Sequence, residues 1–66
     1  MKIQLNGEAF ELESGHTIAN LLTVFDVGAK RFAIEVNQAI VPRSQHADYT
    51  LSEGDVVEVV VAIGGG

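Results

Sequence analysis

The chain has 66 residues, nine of them acidic against four basic, for a net charge of −5, with no cysteine and only two histidines, His16 and His46. So short a chain makes one domain that buries about 60% of its unfolded surface, and with no disulfide and no spaced ligand set it relies on packing, which its 47% apolar content can supply. The acidic balance argues against nucleic acid as a partner and suits a basic protein surface.

Met1-Lys2-Ile3-Gln4 alternates from the start, without the basic and apolar blocks of a signal peptide, and no stretch is long enough to span a bilayer. The expected setting is the cytoplasm, with no membrane partner. Residues 2–6 and 8–13 both alternate polar and apolar, Phe10 and Leu12 forming the inward pair of the second run, and Asn6-Gly7 stands between them. Asn-Gly tolerates the two positive φ angles of a type I′ turn, so an N-terminal hairpin is predicted.

The period then changes. Ile18, Leu21, Leu22 and Phe25 are spaced i, i+3, i+4 and i+7 and share one face of a helix, with Thr17 as N-cap and Gly28 as the left-handed residue beyond its end. Residues 32–37 return to alternation, and Ile40-Val41 adds a short extended piece closed by Pro42. Residues 43–51 are read as irregular with at most a turn of helix, 52–55 as a turn, and 56–63 as the last strand. Val57, Val59, Val61 and Ile63 should face the helix, and Val56, Glu58, Val60 and Ala62 should face outward.

Hairpin, helix, short strands and a long final strand is the order of an α+β β-grasp, a mixed sheet of four to five strands packed on one helix. Residues 1–63 form that domain and 64–66 a flexible glycine tail. Outward Val60 and Ala62 beside Ala33 read either as a docking patch for a partner or as ordinary strand formers. Glu11, Glu13, Glu35 and Glu58 share the outward parity of their strands, which makes the open face acidic: a solvated face, or one that steers a basic partner.

Gly64, Gly65 and Gly66 extend roughly 10 Å when straight, and lacking Cβ atoms they pass through channels too narrow for other residues. A terminal carboxylate there is ionised at neutral pH and needs activation before it can be attacked. As an anion it can itself attack the α-phosphate of ATP held by another enzyme. The chain has no phosphate-binding loop and no Ser/His/Asp or Cys/His set with which to do this alone, so no catalytic residue and no cofactor of its own is expected.

Gly15-His16-Thr17-Ile18-Ala19-Asn20-Leu21-Leu22, Asn37 with Val41-Pro42-Arg43, Gly54-Asp55, and the terminal Gly65-Gly66 together resemble the ThiS family of ubiquitin-like sulfur carriers of thiamine biosynthesis. The likeness spans nearly the whole chain; a third glycine, Gly64, precedes the usual pair. It implies a β-grasp fold and a non-enzymatic cycle. A ThiF-type adenylyltransferase would use ATP to convert the Gly66 carboxylate to an acyl-adenylate. Sulfur originating from a cysteine desulfurase would replace AMP to give a thiocarboxylate, and the thiazole synthase ThiG would take that sulfur. Gly64 and Gly65 would give access to the partners' sites, and Val60, Ala62 and Ala33 are the candidate docking residues. The alternatives are a carrier for another product, such as the molybdenum cofactor in the manner of MoaD, a protein conjugated to lysines, or an adaptor with an idle tail.

The remaining polar residues are read structurally. Arg43 either pairs with a partner carboxylate or, the preferred reading, fixes its own loop; Asn37 serves a turn, Tyr49 and Leu51 pack under the irregular segment, and His16 and His46 are solvated.

Overall fold

The computed structural model describes residues 1–28 and 31–61. Five strands and one helix follow in the order β1 (Lys2–Leu5), β2 (Glu8–Glu11), α1 (Ile18–Val24), β3 (Phe32–Val36), β4 (Ala39–Val41) and β5 (Val56–Val61), with a 3₁₀ turn at Arg43–Gln45 after β4. The sheet order is β2-β1-β5-β3-β4. β5 is central, parallel to β1 and antiparallel to β3, and the two hairpins β1–β2 and β3–β4 flank it. This is the β-grasp, with its mixed sheet and single helix.

The first hairpin closes as its sequence requires. Asn6 and Gly7 have φ of 50° and 85°, the two left-handed residues of a type I′ turn, and Ile3 lies opposite Phe10. The second hairpin turns on Asn37 and Gln38, at φ 52° and 72°, the same geometry without a glycine. Each turn asparagine also reaches β5. The Asn6 amide oxygen accepts the Val59 N–H at 2.8 Å, and the Asn37 amide oxygen accepts the Val56 N–H at 2.9 Å.

Ile18 and Leu21 of α1 are fully buried in one core with Ile3, Leu5, Ile34, Val36 and Val57, while Leu22 and Phe25 pack half-buried at its margin. Phe25 meets Phe10 edge-on, with ring centroids 6.2 Å apart. Thr17 is the N-cap: its hydroxyl accepts the Asn20 N–H at 3.1 Å, and the Asn20 carboxamide oxygen accepts the Thr17 N–H at 2.9 Å, a reciprocal capping box. The first two helical N–H groups are satisfied by the supposedly irregular segment. Ile18 donates to the Tyr49 carbonyl and Ala19 to the His46 carbonyl, each at 3.0 Å.

Three expectations need correcting. Gly28 is left-handed, at φ 74°, but it does not close the helix: α1 ends at an extended Phe25, and Gly28 instead donates its N–H to the Asp26 carboxylate at 2.9 Å in a local loop. His46 is buried rather than solvated, with Nε2 3.0 Å from the Val41 carbonyl, tying the 3₁₀ turn to the end of β4. His16 is half-buried, and its Nδ1 has no hydrogen-bond partner among the described residues. Leu51 and Tyr49 do pack into the core and its edge.

Candidate functional site

Residues 62–66 follow β5 directly in the chain, so β5 is the part of the fold that presents them. Its start is braced from both sides. Asp55 accepts the Ser52 N–H at 2.8 Å and the Asn37 side-chain N–H at 3.1 Å, while its carbonyl accepts the Gln4 N–H at 2.9 Å. Asn37 therefore does more than form a turn: it joins the second hairpin to the turn preceding β5.

Towards its end β5 loses neighbours. β1 pairs only with Val56 and Val57, whereas β3 continues alongside to Val61, which lies opposite Phe32. Burial fades in step. Val57 is fully buried, Val59 half-buried and Val61 39% exposed. The expectation that Val61 shares the core thus fails, because the strand outruns the sheet on one side. Ile63, expected inward as well, lies outside the described residues. Arg43 sits near this end, its guanidinium carbon 5.2 Å from the Phe32 ring centroid, a cation–π contact that holds the loop after β4 against β3.

On the opposite face the outward parity of Val56, Glu58 and Val60 holds, all three being exposed. Val60 lies directly opposite Ala33 in the β3–β5 register, so two of the three candidate docking residues are cross-strand neighbours. Ala62, the third, lies outside the described residues, as do Gly64, Gly65 and Gly66. The sequence reading missed Ile40, 57% exposed on this face, and the opposition of Glu35 to Glu58. The parity of Ile40 against the core residue Val41 was the signal for the first. The second needed the register between two strands separated by β4 and the loop containing the 3₁₀ turn. At the far end of the face a hollow of about 290 Å³ opens between β1, β2 and the start of β5, lined in part by Gln4, Ala9 and Val56. Among the described residues no group of three or more His, Cys, Asp or Glu is placed to hold a metal ion, and no helix is long and apolar enough to cross a membrane.

Residues 3–66 match the model of the ThiS family. The whole chain is 35% identical to the sulfur carrier protein ThiS of Escherichia coli, over all of that protein's length. It is also 42% identical to a thiazole synthase of Magnetococcus marinus and 38% to one of Paramagnetospirillum magneticum, although it spans only about a fifth of the length of those two relatives. Among solved structures, a thiamine biosynthesis protein (ThiS) of Geobacter metallireducens superposes over all of both chains with a TM-score of 0.88 at 26% identity. The β-grasp with its central β5 and a family match that runs through the closing glycines agree, and the chain belongs to the ThiS family.

Proposed function

We propose that this protein is the sulfur carrier for the thiazole moiety of thiamine, acted on by partner enzymes and not itself a catalyst. The observation that carries the reading is the end-to-end match to a sulfur carrier protein, glycine end included, on a fold whose central strand leads directly into that end. The Gly66 carboxylate attacks the α-phosphate of ATP in a ThiF-type adenylyltransferase, releasing pyrophosphate and leaving an acyl-adenylate. A persulfide sulfur, supplied ultimately by a cysteine desulfurase, takes the carbonyl and expels AMP. Reductive cleavage of the resulting acyl disulfide by a thiol leaves the thiocarboxylate, and the thiazole synthase ThiG receives its sulfur.

The chemistry explains the division of labour. A thiocarboxylate is a far better nucleophile than a carboxylate, and on a protein handle it can pass between enzymes without being lost to solution. Gly64 and Gly65 carry no side chain, so an active-site channel can close on their backbone. Val60, with its cross-strand neighbour Ala33, supplies apolar surface near the end of β5 for the enzyme body to sit on, and Ala62 is assigned to the same contact from its sequence parity alone. The similarity of the whole chain to a segment of thiazole synthases supports ThiG as a partner. The cycle is assigned to the cytoplasm, a compartment that supplies the ATP it needs.

Intact-protein mass spectrometry after coexpression with the adenylyltransferase and a cysteine desulfurase should show one oxygen of the C-terminus exchanged for sulfur, and removal of Gly65 and Gly66 should abolish it without unfolding the domain. A chain that stays wholly carboxylate while the adenylyltransferase is active on its own known carrier would count decisively against the proposal.

A further inference from the structure

The open face of the sheet contains one arrangement that works against stability. Glu35 and Glu58 are direct cross-strand partners, and like charges in that position destabilise a sheet. Elsewhere on the same face charge is balanced: Glu11 lies opposite Lys2 and 3.8 Å from the N-terminal ammonium. Among the described residues neither Glu35 nor Glu58 has an ion-pair partner. Apart from Asn6, which bonds to Val57 and Val59 and so flanks Glu58 on the β1 side, the surroundings of the pair are apolar. Ile40 continues its row on β4, Val60 and Ala33 form the next row towards the tail, and Val56 lies two residues back along β5. Three of these, Ile40, Val56 and Val60, are 57%, 39% and 46% exposed, which for large aliphatic side chains is a cost in water.

From this we infer that the open face docks the thiazole synthase through a guanidinium that enters between Glu35 and Glu58, with apolar side chains of the same enzyme covering Val60, Ile40 and Val56. The inference rests on the carrier reading and specifies the partner's contact chemistry. A single arginine fork presents two N–H edges and can answer both carboxylates, converting a repulsion in the free protein into two charge-assisted hydrogen bonds in the complex. Docking of the apolar rim excludes water from around those bonds and strengthens them. Val60 is the penultimate residue of β5, so a partner seated here sits at the end of the strand from which the chain continues to its glycines. The choice of thiazole synthase rests on the relatives in which a segment similar to this whole chain is built into that enzyme's own polypeptide.

The test is a binding titration of the thiazole synthase of the same organism against the full-length protein, the double variant Glu35→Gln/Glu58→Gln, and a control variant Glu8→Gln/Asp48→Asn that makes the same change in net charge at exposed positions off this face, Glu8 lying opposite the core residue Leu5. The expected result is a loss of about tenfold in affinity for the first variant, with a flatter dependence on salt, and little change for the control. The same Glu-to-Gln variant should also unfold at a higher temperature than wild type, since repulsion has been removed. Equal affinity and equal salt dependence for wild type and the Glu35/Glu58 variant would overturn the inference. So would an equal loss in the control, which would mean long-range steering and not a seated cation, and so would a wild-type protein that does not bind the synthase. Thiocarboxylate formation, read by mass on the same proteins with the adenylyltransferase, reports on the carrier reading separately.

Discussion

Val57 and Val60 lie three residues apart on β5, the first with no exposed surface and the second 46% exposed. Residue type and strand propensity are identical, so the difference comes from the face, reinforced by the loss of β1 as a neighbour beyond Val57. The inner face collects Ile3, Leu5, Ile34, Val36 and Val57 under α1, and every buried apolar residue there contributes to a core that a 66-residue chain can barely fill. The outer face shows Val56, Val60 and Ile40 to solvent and sets two glutamates against each other. One face is organised for folding; the other gives up some stability, as the proposed docking there would require.

The contrast predicts that one substitution has two outcomes. Val57→Ala removes two buried methyl groups and leaves a cavity, at a cost of about 2 kcal/mol. In a domain this small that lowers the unfolding midpoint by roughly 10 °C, at about 4–8 °C per kcal/mol. Val60→Ala should change stability by less than about 0.5 kcal/mol. Thermal and urea unfolding of the two variants measures the difference, and equal losses would mean that the faces are not energetically distinct. A smaller effect is expected at the brace between the second hairpin and β5. Asn37→Gly keeps the left-handed backbone but deletes the bonds to the Val56 N–H and the Asp55 carboxylate, costing about 1 kcal/mol. Hydrogen exchange should then accelerate at the Val56 amide ahead of the amides of β1–β2.

How legible each part was in the sequence depends on how local its cause is. Asn6-Gly7 announced the first hairpin because both left-handed residues are chemically marked. The second, at Asn37-Gln38, carries no glycine, and its turn was recognisable only through Asn37. The face of α1 and its Thr17 cap could be read from spacing, since their partners lie within one or two turns. The end of the helix could not: Gly28 has the expected φ, yet Phe25 leaves the helix first to bring its ring against Phe10 on a distant strand. His46 was misread for the same reason. Nothing near it in sequence shows that its ring meets the Val41 carbonyl, or that its own carbonyl accepts the Ala19 N–H at the start of α1. For the candidate site, outward parity together with the β-grasp order set Val60 beside Ala33, as the β3–β5 register has them, while the opposition of Glu35 to Glu58 is a property of that register, which no local pattern encodes.

The smallest structural effect should accompany a clear functional one. Val60→Asp places a charge on a residue that is 46% exposed and opposite Ala33, where water can solvate it, so its stability should stay within about 0.5 kcal/mol of wild type. In the complex that carboxylate would be covered by the partner's apolar surface without a counter-charge of its own, and burying an unpaired charge is severely unfavourable. Sulfur transfer in the presence of limiting partner enzymes should therefore slow by an order of magnitude or more, and raising the partner concentration should restore the rate, because the tail and its glycines are unchanged. A Val60→Asp protein that folds normally and is thiocarboxylated and discharged as fast as wild type at limiting enzyme would show that the open face near β5 is an ordinary exposed strand surface, and that the partners hold the tail without it.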